Sequence, residues 1–204
     1  MAVIRRVLGA EHPATLTSMN NLASTLWGQG DLAGARELEE QVLALRRRML
    51  GAEHPATLTS MNNLAGTLRA QGDLAGARDL QEQVLALCRR VLGEDHPNTL
   101  TSMNNLAETL GAQGNLAGAR DLQEQVLALR RRVLGAEHPA TLTSMNNLAR
   151  ALLQSGDPAG AAALVAEALP ISRHKLGEAH PITQALLQID TVLKDPSQRP
   201  RRPR

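Results

Sequence analysis

His54-Pro55-Ala56-Thr57-Leu58-Thr59-Ser60-Met61-Asn62-Asn63-Leu64-Ala65 decides the fold, because the chain writes it more than once. The same residues begin at His12 and His138, and they begin at His96 with Asn98 in place of alanine. A degraded copy opens at His180-Pro181, and the interval is 42 residues each time. A chain with such a period is an array, in which each unit buries its apolar face on its neighbours instead of around one central core.

Within the copy that starts at His12, two helices are expected. The residue before a proline is steered away from helical geometry, and Pro13 suits the first helical position, so His12 reads as a boundary residue. Leu16, Met19, Leu22, Ala23 and Leu26 then recur at helical spacing and form one apolar face. Gly30 supplies a left-handed terminator and Asp31 an amino-terminal cap, which makes the two helices antiparallel neighbours across a short turn. Leu32, Ala35, Leu38, Val42, Leu45 and Met49 are expected on the inner face of the second helix. Its acids, Glu37, Glu39 and Glu40, lie early and its bases, Arg46, Arg47 and Arg48, lie late, an order that complements the helix dipole. The arginine triplets read as a solvated outer face. Pro170, inside the last second helix, is expected to kink it.

The organisation expected from the period is residues 1–11 as the end of a preceding helix, then units 12–53, 54–95, 96–137 and 138–179. A terminal capping helix at 180–194 and a disordered basic tail at 195–204 complete it. Ala2 to Gly9 matches Ala44 to Gly51 at the same offset, so the chain is expected to be a fragment of a longer protein.

Composition removes several functions. The last ten residues hold four arginines against one aspartate, more than the whole net charge of +2, so the body is close to neutral and gives little support to nucleic-acid binding. Cys88 is the only cysteine, which excludes a disulfide framework and fits a reducing, cytoplasmic setting. No apolar run is long enough for a membrane span. Histidines repeated in register are too dispersed to share one metal, and Ser, His and acid positions do not converge, so neither a cofactor nor an enzyme is expected.

Alanines at the close crossing (Ala23, Ala35), Gly30 before the second helix and Asn-Asn-Leu-Ala in the first resemble tetratricopeptide repeats. The 42-residue period and the run Arg46-Arg47-Arg48-Met49-Leu50-Gly51-Ala52-Glu53-His54-Pro55 are similar to the kinesin light chain subclass. The chain departs from that pattern by placing Leu26, Leu68, Leu110 and Leu152 where tyrosine is usual, and Leu32, Leu74 and Leu116 at the aromatic of the second helix. No heptad coiled coil for joining a motor is present. The resemblance implies an all-α, right-handed superhelical solenoid of antiparallel helix pairs, with a concave groove lined by the first helix of each unit.

That resemblance implies a scaffold holding an extended peptide or partner protein segment in the groove. An alternative is the sensor arm of a larger signalling ATPase, although no phosphate-binding loop occurs here. The copies differ internally at Ser24, Trp27 and Gly28 against Gly66, Arg69, Ala70 and Glu108, Gly111, Ala112, positions that share one arc at about 100° per residue. Asn20, Asn62, Asn104 and Asn146 lie on the same arc, and amides can pair with a peptide backbone. The expected groove residues are therefore Asn20, Ser24, Trp27, Asn62, Arg69, Asn104, Glu108, Asn146 and Arg150. The second asparagines, Asn21, Asn63, Asn105 and Asn147, are expected to serve loops or solvent.

Overall fold

The computed structural model describes residues 8–195. The expected preceding-helix segment and basic tail therefore lie, apart from residues 8–11 and 195, outside the described residues. Nine helices follow in order among the described residues: α1 (Pro13–Gly28), α2 (Leu32–Leu50), α3 (Pro55–Ala70), α4 (Leu74–Leu92), α5 (Pro97–Ala112), α6 (Leu116–Leu134), α7 (Pro139–Ser155), α8 (Pro158–Leu176) and α9 (Pro181–Lys194). The chain divides into two compact units, Met1–Asn105 and Leu106–Arg204. In the first, α1 packs on α2, α2 on α3 and α3 on α4. In the second, α6 packs on α7, α7 on α8, and α9 on both α7 and α8.

Each odd-numbered helix starts the same way. The N-cap His54 is extended, and its imidazole Nδ1 accepts a hydrogen bond from the Ala56 N–H at 3.1 Å. His12, His96, His138 and His180 repeat that bond. The boundary residue of the sequence pattern thus has a second task, supplying an acceptor to an orphan helix N–H in the tautomer whose Nδ1 carries no proton. One turn later a wholly buried threonine reaches back to the preceding junction. Thr57 Oγ1 donates to the Gly51 carbonyl at 2.8 Å, and Thr15, Thr99 and Thr141 repeat the bond to Gly9, Gly93 and Gly135. Gly51, at φ 87°, is the turn residue that lets the chain leave α2 toward His54.

The even-numbered helices begin on the expected caps. Asp31, Asp73, Asn115 and Asp157 accept from the N–H of Gly34, Gly76, Gly118 and Gly160. The glycine three residues after each cap has a steric reason. A Cβ at Gly76 would lie 2.7 Å from Asp73 Oδ2, inside contact distance of the atom that the cap holds in place.

Packing follows the alanines and methionines. Met61, Ala65, Ala77 and Val84 are buried at the α3/α4 crossing, and Leu142, Met145, Ala149, Ala161 and Val165 at the α7/α8 crossing. Leu68, Leu110 and Leu152 are buried where bulkier aromatics are usual in such arrays. The inner face of α2 is Ala35, Glu39, Val42, Leu43 and Arg46, which corrects two expectations. Met49, expected on that face, is 40% exposed. Glu39, one of the early acids, is buried. The arginine triplet is likewise split, since Arg46 lies in the interior while Arg47 and Arg48 are exposed. Pro170 lies inside α8, which continues to Leu176. Its exposed position puts the missing hydrogen bond on the side where water can satisfy the freed carbonyl.

The Asp73–Gly76 pair yields a double-mutant test. Gly76→Ala in the native chain should lower stability by about 1 kcal/mol, because the new methyl displaces the cap. In an Asp73→Ala background the same change should instead raise it by about 0.5–1 kcal/mol through helix propensity. Urea unfolding of the four proteins measures the sign reversal.

Candidate functional site

The helices α1, α2 and α3 enclose a groove of about 280 Å³ lined by Asn20, Ser24, Trp27, Glu39, Asn62, Asn63, Gly66, Thr67 and Arg69. Five residues expected from the copy comparison, Asn20, Ser24, Trp27, Asn62 and Arg69, therefore share one site. Trp27, the only aromatic residue of the chain, is 50% exposed there. The other four candidates follow on later helices: Asn104 half-buried and Glu108 exposed on α5, Asn146 buried and Arg150 exposed on α7. Asn63, expected to serve loops or solvent, lines this groove and a second one.

Two members of the site were not expected. Glu39 is 5% exposed and comes from the second helix, reaching the groove between α1 and α3. Burial pushes its carboxyl above the usual carboxylate range, and a hydrogen bond with Thr67 only partly opposes that shift. Its Oε2 has no hydrogen-bond partner, and neither has the Asn62 Oδ1. Two residues lining the groove thus carry a buried acceptor that is left unpaired. A signal was available in the sequence, since the same register carries Gln81 and Gln123, both buried polar residues in an otherwise apolar position.

Asn20 has a structural task besides its place in the groove. In the amide orientation that satisfies both groups, its oxygen accepts from Arg46 Nη1 at 2.9 Å and Nη2 at 3.1 Å. Arg46 Nη1 also donates to the Ala56 carbonyl at 2.9 Å and to Ser60 Oγ at 2.8 Å, so one guanidinium from α2 ties α1 to α3. Arg130 repeats the arrangement with the Ala140 carbonyl and Ser144 Oγ, both at 2.9 Å. Burial lowers both guanidinium groups from their ordinary value.

A second groove, of about 300 Å³, opens on the same face of α3. It is lined by Pro55, Leu58, Thr59, Asn62, Asn63, Cys88, Asn98, Thr101 and Asn105. Among the described residues no helix is long and apolar enough to cross a membrane.

With this geometry in view, the comparisons with known proteins become informative. The sequence profile of the tetratricopeptide repeat family matches residues 15–56, 56–131 and 104–174. The chain belongs to the tetratricopeptide repeat family. A crystal structure of a kinesin light chain from Podosopora anserina with nearly identical TPR-like repeats is similar to it at 33% identity and a TM-score of 0.75, covering 93% of this chain and 100% of that one. A single-substitution variant of the same protein gives 32% identity, a TM-score of 0.75 and 93% and 99% coverage. These similarities place the repeats in the kinesin light chain-like group, as the 42-residue period and the Arg-rich junctions imply. BtubC (BKLC) from P. vanneervenii shares the fold at a TM-score of 0.73 and 17% identity, covering 95% of this chain and 79% of that one. No curated protein matches the chain.

The buried Glu39 makes a measurable prediction. Its raised folded-state pKa means that the folded chain holds this proton more tightly than the unfolded chain. Its contribution to stability therefore falls as pH rises above the ordinary value of 4.5 toward the folded pKa. Glu39→Gln, which places here the residue found at 81 and 123, should raise the melting temperature by a few degrees at pH 7. Near pH 4 the gain should vanish, and calorimetry at both pH values checks it.

Proposed function

We propose that this chain is a protein-interaction scaffold that holds an extended segment of a partner protein against its first helices. The observation that carries the reading is the groove shared by Asn20, Ser24, Trp27, Asn62 and Arg69. It joins the positions where the internal copies differ to a row of amides where they agree. Variable side chains supply selection, and the repeated amides supply pairing to a peptide backbone, which has the same donors and acceptors whatever its sequence.

Units opening at His12, His54, His96 and His138 each contribute one first helix in this reading, and Asn104, Glu108, Asn146 and Arg150 are the counterparts, on the later first helices, of the residues that line this groove. Trp27 offers an exposed ring for an apolar or cationic side chain, while Arg69 and Glu108 are of opposite charge. A mixed groove of this kind selects by position along the peptide and not by net charge. The family supports the general role of binding proteins or peptides, and the work is non-catalytic.

The test is an arrayed library of twelve-residue peptides screened on the wild-type chain. Hits rescreened on Trp27→Ala with Arg69→Ala should weaken at least tenfold. The exposed second-helix change Arg78→Ala should leave them unaltered. Hits bound equally by the groove variant and the native chain would refute the groove reading.

A further inference from the structure

The groove beside Cys88 owes its existence to one residue. In register, positions 46, 88, 130 and 172 hold Arg, Cys, Arg and Ser. Arg46 places its guanidinium between two first helices, on the Asn20 amide, the Ala56 carbonyl and the Ser60 hydroxyl, and Arg130 bonds likewise to the Ala140 carbonyl and the Ser144 hydroxyl. Around position 88 the receiving groups stand in the same register: Asn62 for Asn20, the Asn98 carbonyl for that of Ala56, and Ser102 for Ser60. The donor is gone. Cys88 Sγ lies 3.7 Å from Ser102 Oγ, a weak contact, and Cys88, Asn62 and Asn98 line the 300 Å³ cavity.

Asn62 registers the loss directly. Asn20 Oδ1 is satisfied by Arg46, whereas the Oδ1 of Asn62 is buried with no hydrogen-bond partner. Asn146, in register with Ser172, carries the same unpartnered oxygen. The two sites have nevertheless gone different ways. At the last junction Leu186 replaces the serine and is fully buried, and Ser172 pairs instead with Thr183 at 2.7 Å, so the receiving set has been dismantled. At Cys88 the receiving set is kept, the cavity is open, and no side chain of the first unit fills it.

We infer that the cavity lined by Asn62, Cys88 and Asn98, with Ser102 behind Cys88, binds the guanidinium group of an arginine side chain contributed by the partner segment. The thiol takes no part beyond its small size. A guanidinium fits better than an ammonium because Arg46 shows what this set of acceptors receives: a planar fork whose Nη1 serves a carbonyl and a hydroxyl while Nη1 and Nη2 meet an amide oxygen. An arginine entering the site would recover the hydrogen bond that Asn62 Oδ1 lacks, and buried acceptors left unpaired are costly. The source is a peptide because Asn62 and Asn63 line both this cavity and the groove that contains Trp27. The inference rests on the peptide-groove reading and adds to it the identity of one side chain.

The test uses the blocked peptide Gly-Ser-Arg-Ser-Gly and its citrulline counterpart, which keeps the shape without the charge. With the arginine peptide, the Asn62 side-chain amide and Ser102 backbone amide NMR signals should shift saturably; the citrulline peptide should bind at least tenfold more weakly. Cys88→Arg should fold, since its neighbours carry arginine there, should melt several degrees higher, and should abolish the saturable shift. The inference is overturned if the two peptides act equally, if neither shifts those signals at 20 mM (about twenty times a millimolar Kd), or if Cys88→Arg lowers stability. Library hits that lack arginine and bind Cys88→Arg as well as the native chain would overturn it while leaving the groove reading intact.

Discussion

The hydrogen bond from a buried threonine hydroxyl to the carbonyl of the preceding terminal glycine, Thr57 to Gly51 and its three counterparts, is the contact on which the array depends. A repeat chain has no central core to correct an error in direction, so the angle between one helix pair and the next is set at each junction. The bond fixes that junction from within, because the threonine is wholly buried and its acceptor ends the previous helix. Histidine capping from the outside and proline at the first helical position complete the same turn. Three local devices within seven residues, 51–57, make the junction reproducible, and reproducible junctions are what allow near-identical sequences to stack.

Buried polar groups carry the next level of organisation. Apolar stripes of Met, Leu and Ala bring helices together but do not fix how far one first helix sits from the next. Arg46 and Arg130 do this with a single head group that bonds to groups on the neighbouring first helix. The charge is held by neutral acceptors, and burial lowers the group from its ordinary value. Where the series is broken, at Cys88 and Ser172, the Asn62 and Asn146 amide oxygens are left without partners. Glu39 belongs to the same layer of buried polarity, and its unpartnered oxygen faces a groove instead of a neighbouring helix. Unpaired buried polarity in this protein therefore arises where a repeated structural bond is interrupted.

Much of this was legible in the residues. The period, the alanine crossings, the Asp and Asn caps and the Gly terminators follow from spacing and local geometry, and each was read in advance. Of the five residues that line the Trp27 groove, Ser24, Trp27 and Arg69 stand where the copies differ, and Asn20 and Asn62 lie on the same arc where the copies agree. The misreadings share one cause. Arg46 and Met49 follow residue type in the sequence reading, charged outward and apolar inward, and the structure buries the first and exposes the second. Helical periodicity gives the direction of a side chain but not what lies opposite it, and the Ala56 carbonyl and Ser60 of α3 lie opposite Arg46.

The sequence by itself determined the class of fold, the location of every described helix end within a residue or so, and the face on which the copies differ, because all of these are set by interactions no more than a few residues apart. The tertiary structure alone decided which polar groups are buried, that Arg46 is a tie between first helices, and that Cys88 opens a cavity whose acceptors remain. Those facts depend on pairs such as Asn20 with Arg46 and Arg46 with Ser60, groups that spacing within one helix cannot bring together and that only the packing of successive helices places within bonding distance.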